Sequence, residues 1–315
     1  MHYSVDCNDS PPYDWKEFLL KSDTGTIQNT AEYAEYAEKW HGWKPQFFRL
    51  LDSKGNVTLQ NLLFEYNRNL RRIPFPIRNM VRQFYKMLRW NYGPVTTTQD
   101  SLIFFFDYIR TIKRQIYGIT HPFSILPEIK LEKVRWATFL IDLRKTKEEL
   151  YDSLEKNSAR KNIERSIKRN VTIEEITAKS VDEYYTLLKN YKDPEGKGHT
   201  NPDEMHDFWR MLKGVGFSGF LTRKEGIPTG GLMFSFFNKY INEWGVARSQ
   251  IDVEQKLYSQ DLIKWKIIEW GVENGMNWYD LSGINPNPSS KKEEHLLRYK
   301  KKWGGKQYDL WIIRK

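Results

Sequence analysis

Cysteine is almost missing from this sequence: Cys7 is the one thiol in 315 residues. That excludes an internal disulfide and any cysteine-rich metal site. Long apolar runs are missing as well. The stretch LIFFF, Leu102 to Phe106, falls far short of the roughly 20 residues that span a bilayer, so no membrane span is expected. The opening MHYSVDCNDSPPYDW lacks the basic head and apolar stretch of a secretory signal. The cytoplasm is the expected compartment.

The short signatures of covalent and phosphate-binding catalysis are also lacking. There is no G-x-S-x-G elbow, Walker loop or H-E-x-x-H. Cys7 sits in a terminus expected to fray. Pro202 between His199 and His206 argues against a shared helical face for a metal. One literal G-x-G-x-x-G, Gly214 to Gly219, follows a predicted helix and leads into a predicted strand. A dinucleotide fingerprint needs the reverse order, and Gly214 reads instead as a left-handed helix cap. With no nucleophile, metal or cofactor loop, the remaining enzyme class is direct transfer between two bound substrates, driven by position and electrostatics.

What the chain does have is localised positive charge. The net charge is +10, and two segments account for all of it. Residues 291–306 carry seven Lys/Arg against two Glu, and residues 156–170 carry six against one. A third run, Arg68 to Arg89, adds seven more and no acid, so the rest of the chain is net acidic. Basic patches interleaved with aromatics suit a phosphate-rich partner such as tRNA, a nucleotide or a lipid headgroup. Lys161, Arg165 and Arg169 recur at helical spacing and predict a cationic surface stripe, with Ile163 and Ile167 pointing elsewhere.

Periodicity predicts an α+β fold. Helices are expected in DWKEFLLKS and TAEYAEYAEKW, followed by strands in KPQFFRLLDS and NVTLQNLLFEY and a helix from Asp100 to about Gln115. The strand RWATFLIDL opens a second half. There a helix from Lys147 to Arg169 precedes strand VTIEEI, and two helices lead to strands SGFLTRK, GGLMFSFF and YINEWGVA. A long helix from about Glu254 to Glu273, with Tyr258, Leu262, Trp265, Ile268 and Val272 as its buried stripe, leads to strand NWYDLSG. The domains expected are 1–140 and 141–315, with the closing strand QYDLWII a candidate to return to the first.

At this level the chain resembles the Fem-type aminoacyltransferases that build peptidoglycan interpeptide bridges. The likeness is carried by GTIQNTAEYAEY, GWKPQFFRLLDSKGNV, NYGPV, the segment from ATFLIDL through NVTI, and WYDLSGINPNPSSKKEEHLLRYKKKWGGK. The resemblance implies two tandem GNAT-like domains and no cofactor. The implied reaction moves an amino acid from aminoacyl-tRNA to an amine of a peptide or cell-wall precursor. Tyr299 and Lys300 fall on the family's aromatic-Lys pair beside the transferred acyl group, Trp244 on an aromatic position of the acceptor site, and Asp280 on the Tyr-Asp-Leu strand. Ala37 stands where some members place a phosphate-holding lysine, with Lys39 nearby, and Asn201 stands where an acceptor-binding arginine is expected. The family's inserted helical arm is missing, as in its shorter members.

The chemistry can be stated from the residues alone. Aminolysis of an ester passes through a tetrahedral oxyanion, which a cation in a partly dry site stabilises by several kcal/mol. Lys300 is the candidate for that cation, and Asp280 a candidate base. Leu296 and Leu297 would anchor LLRYKKKWGG, with Lys301 and Lys302 facing an RNA backbone. Two alternatives stay open. A coenzyme A thioester could be the donor, although SQIDVEQK before the long helix has no glycine and carries Asp252 and Glu254, which would repel a pyrophosphate. The same fold could also serve as a catalytically silent binding module.

Overall fold

The computed structural model describes residues 2–67, 86–192 and 201–315. Most of the Arg68 to Arg89 run, and His199, lie outside the described residues. The chain divides into two compact units, residues 1–137 with 308–315, and residues 138–307.

In the first unit, β1 (Ser4–Asn8), β2 (Lys44–Leu51), β3 (Val57–Asn67), β4 (Lys86–Trp90), β6 (Gln115–Ile119) and β13 (Lys306–Arg314) lie side by side in that order, and β5 (Val95–Thr96) pairs with β3. Cys7 is exposed but held in β1, opposite Phe48, so it is not frayed. The closing strand β13 pairs antiparallel with β6 through Ile312 and Ile119. Helices α1 (Trp15–Leu20) and α2 (Ala31–His41) precede β2. Thr30 caps α2 by accepting from the Tyr33 N–H at 3.3 Å, and Gly42 ends it in the left-handed conformation. Helix α3 (Gln99–Thr111) buries Leu102, Phe105, Phe106 and Ile109 against Phe48, Leu59, Leu63 and Trp90. It stops short of Gln115 because Ile112 is extended and Gln115 already pairs with Met87 in the sheet.

In the second unit, which takes β7 (Glu132–Asp142) from Thr138 onward, the order is β7, β12 (Trp278–Ile284), β11 (Tyr240–Arg248), β10 (Ile227–Phe237), β9 (Phe217–Lys224) and β8 (Thr172–Glu175). The single helix expected over 147–169 is broken into α4 (Lys147–Ser153), a π turn over Lys156–Arg160 and α5 (Lys161–Lys168). Leu154 and Glu155 are extended, and the Glu155 N–H donates to the Lys302 carbonyl at 2.9 Å. Helix α6 (Val181–Lys192) and helix α7 (Pro202–Gly216) follow. Asn201 is the N-cap of α7, and Gly216 rather than Gly214 takes the positive φ at its end. The chain then enters β9 directly, the wrong context for a dinucleotide loop.

The expected long helix begins later than predicted. A short helix α8 (Gln250–Glu254) precedes α9 (Ser259–Glu273). Leu262 and Ile268 are buried as expected, whereas Tyr258, Trp265 and Val272 are only half-buried. Ile263, Ile267, Asp261 and Lys264 are buried too. Helix α9 thus hides most of its circumference, and a single apolar stripe does not describe it. LLRYKKKWGG is no loop: it continues α10 (Lys291–Lys301) into the turn before β13. Leu296 is 42% exposed and Leu297 half-buried, so neither anchors the segment, and Trp303 is the fully buried residue instead.

Candidate functional site

The site starts from a defect in strand pairing. β11 pairs in parallel with β12 only from Tyr240 opposite Trp278 to Asn242 opposite Asp280. On its other side the register with β10 slips: Met233 faces Trp244, Leu232 faces Val246, and Gly245 is the extra residue. Gly245 has φ +63, the conformation of a glycine bulge, and its carbonyl accepts from the Tyr184 hydroxyl at 2.5 Å. Beyond Asn242 the two strands part, and a cavity of about 660 Å³ opens there. Its wall includes Glu243, Gly245, Ser282, Tyr299, Lys300 and Lys302.

Charge in this wall is arranged in pairs. Lys264 pairs with Glu243, Lys302 with Asp261, and Arg248 with Asp252. Lys300, 7% exposed, is the lining cation without a carboxylate partner among the described residues. Its Nζ instead donates to the backbone carbonyls of Ser282 at 2.6 Å and Gly283 at 3.1 Å. An ammonium has three donors, so one remains for the cavity. Burial lowers its pKa to about 8, opposed by the negative charge of Glu243.

That shift predicts a pH dependence of stability. In the unfolded chain the ammonium titrates near 10.4, so between about pH 8 and that value the unfolded state holds more protons than the folded one. Stability contributed by Lys300 therefore rises with pH in this window, by at most about 1.4 kcal/mol per pH unit. Urea denaturation of the parent and Lys300→Met from pH 7 to 10.5 checks the sign. The parent should gain on the variant as pH rises, and a constant difference would refute the burial account.

Tyr299 stands between two of these lysines, with Lys302 Nζ 4.3 Å and Lys264 Nζ 5.8 Å from its ring centre. Burial pushes its phenol well above the usual range. Lys302, expected to face RNA, is instead 7% exposed in its pair with Asp261. Lys301 is exposed.

Asp280 is 0% exposed and does not line the cavity. Its carboxylate accepts from the hydroxyls of Thr138 and Tyr240, the latter at 2.5 Å, from Asn242 Nδ2 at 3.1 Å and from the Ser282 N–H at 2.7 Å. Burial pushes its carboxyl up while these bonds oppose the shift. Such a group holds β7, β11 and β12 together. Trp244 also lies outside the wall. It donates to Ser235 Oγ at 3.0 Å and packs its ring 4.9 Å from that of Phe208.

Of the predicted basic stripe, Lys161 is exposed, but Arg165 and Arg169 are half-buried, each with its guanidinium within 6 Å of the Tyr258 ring. Arg169 also donates to the Lys256 carbonyl. Ile163 is buried as an apolar face requires, whereas Ile167 is 57% exposed. In the first unit Lys39 is exposed on α2 with its Nζ 5.5 Å from the Trp40 ring centre, and Ala37 is buried. Among the described residues no group of three or more His, Cys, Asp or Glu could hold a metal, and no helix is long and apolar enough to cross a membrane.

Glu243, Asp261, Lys264 and Tyr279 were missed from sequence. A signal existed: Glu243 interrupts the apolar strand YINEWGVA, and Asp261 and Lys264 sit three apart on the apolar helix SQDLIKWKIIEW. Charges at core positions rarely occur unpaired.

Two units of this kind define a tandem GNAT-type fold, and solved structures share it along their length. A structure of FemX aligns with a TM-score of 0.70 at 14% identity, covering 99% of this chain and 97% of that one. L-PGS from Bacillus licheniformis aligns at 0.58 and 10% identity, covering 97% and 92%. A tandem GNAT protein from the clavulanic acid biosynthesis pathway aligns at 0.54 and 10% identity, covering 99% and 98%. No family model and no curated protein sequence matches the chain. The resemblance to the Fem type therefore holds at the level of the fold.

Proposed function

We propose that this chain is a cytoplasmic Fem-type aminoacyltransferase that moves an amino acid from aminoacyl-tRNA to an amine of a peptide or cell-wall precursor. The acceptor nitrogen attacks the ester carbonyl, a C–N bond forms, and the C–O bond to the ribose breaks. The proton lost by the amine ends on the departing ribose hydroxyl. The observation that carries the reading is Lys300, a buried cation with no carboxylate partner among the described residues, fixed by two carbonyls at the edge of a cavity on a fold shared with FemX. A cation so placed stabilises negative charge that develops in the cavity.

A coenzyme A donor is disfavoured by one feature. At the start of α9 the first N–H, that of Ser259, is taken by Asp252 Oδ1 at 2.8 Å, so a carboxylate already occupies the helix end where a pyrophosphate would bind. The deciding experiment supplies charged tRNA, acetyl coenzyme A or neither, with a cell-extract amine pool, and follows label transfer by mass spectrometry. Transfer from acetyl coenzyme A alone would overturn the reading.

The exposed cations give a second test. Arg165 and Arg169 are poor probes because they pack on Tyr258, whereas Lys161 and Lys301 are open to a phosphate backbone. Reversing both, Lys161→Glu with Lys301→Glu, should weaken tRNA binding and flatten the slope of log K against log salt by roughly 1.5 to 2. An unchanged slope would remove these two lysines from the RNA contact.

A further inference from the structure

The two oxygens of Glu243 are in different situations. Oε1 takes both the Lys264 ammonium and the Tyr279 hydroxyl, the latter at 2.6 Å. Oε2 receives no hydrogen bond from any described residue, yet it is not sealed in the core. The side chain is 8% exposed and belongs to the cavity wall. A carboxylate oxygen without a donor on a mostly buried side chain of the cavity wall is costly unless a donor from a ligand completes it. The other two lining carboxylates are already engaged, Asp252 by Ser259 and Arg248, and Asp261 by Lys302 and Asn162.

We propose that Glu243 Oε2 receives a primary ammonium of the ligand and that, on the aminoacyl-ester reading above, this is the free α-amine of the donor. The site then takes α-aminoacyl groups and rejects acyl groups without that amine. In an α-aminoacyl ester the amine sits on the carbon next to the carbonyl, so its receptor needs an anion and a cation side by side. Glu243 and Lys300 meet that demand: both line the cavity, and Glu243 is the strongest charge acting to keep the Lys300 ammonium protonated. Glu243 serves here as a binding group held in place by Lys264 and Tyr279. Removing its carboxylate would deprive Lys264, 4% exposed, of its ion-pair partner.

Binding of two small probes, L-alaninamide and propionamide, tests the assignment without RNA, since they differ by the amine alone. Titration calorimetry should show the parent binding alaninamide roughly 10- to 100-fold tighter than propionamide, the worth of a hydrogen bond to a charged group. Glu243→Gln should bring the two to near parity. Because that change strands Lys264, the double variant Glu243→Gln with Lys264→Met removes the pair together and should show the same parity. Equal binding by the parent, no binding of either probe, or a preference that survives in the variants would overturn the ammonium site. A parent that prefers alaninamide yet takes no amino acid from charged tRNA would overturn the donor assignment and leave the ammonium site standing.

Discussion

Lys300→Met should fold and lose transfer activity by roughly 100-fold or more in kcat, with little change in donor affinity. The methionine keeps the stem and removes the charge. In the parent, the carbonyls of Ser282 and Gly283 hold Nζ in place, so the cation does not have to be ordered during reaction. That preorganisation is what makes such a group worth several kcal/mol to an oxyanion. Because burial brings the ammonium to about 8, transfer by the parent should also fall as pH rises through that value, and the variant should lack this limb. Transfer at the parental rate, or a loss confined to donor KM, would sink the assignment.

Lys302→Met should instead be a stability variant. Its partner Asp261 lies buried on α9, and removing one member of a buried ion pair typically costs about 3–5 kcal/mol. Burial already pushes the Asp261 carboxyl up even with Lys302 beside it. Without the lysine the folded chain binds the proton more tightly still, above the unfolded value of about 3.9. A raised folded pKa contributes stability at low pH that is lost as pH rises, so the deficit of Lys302→Met should be larger at pH 8 than at pH 5. Adding Asp261→Leu removes the stranded charge and should restore most of the loss. Denaturant midpoints for the parent, single and double variants decide the matter. A single variant as stable as the parent, with a KM that has become salt-sensitive, would return Lys302 to the RNA-facing role read from the sequence.

The element order was legible because apolar periodicity reports which face of each segment meets a core. Strands β2, β3, β7 and β9–β12 and helices α2, α6 and α7 follow from it within a few residues. The break at Leu154 and Glu155 was not legible. It is made by the distant turn after α10, where Gly304 comes so close to Ser153 that a side chain there would collide with it. Nothing local in KTKEELYDSLEKNSARKNIERSIKR signals that contact. The basic run at the C-terminus was legible as functional chemistry but not as geometry. Lys300, Lys301 and Lys302 look alike in sequence, yet Lys301 is exposed while its neighbours face a carbonyl pair and a carboxylate. Asp280 and Trp244 carried family-like positions into the strands, but only the pairing of β11 with β12 and β10 decides which side of the sheet each reaches.

The three charge pairs in the cavity wall also bear on how the gene can change. Loss of Glu243, Asp261 or Asp252 by itself strands a buried or half-buried cation, and loss of Lys264 or Lys302 by itself strands a carboxylate. Each single step is a fitness valley, so divergence should proceed by paired replacement. Orthologues of this chain that keep the activity should then show positions 261 and 302 changing together, while Glu243 with Lys264, and Lys300 on its main-chain carbonyls, stay fixed by their place at the transfer site.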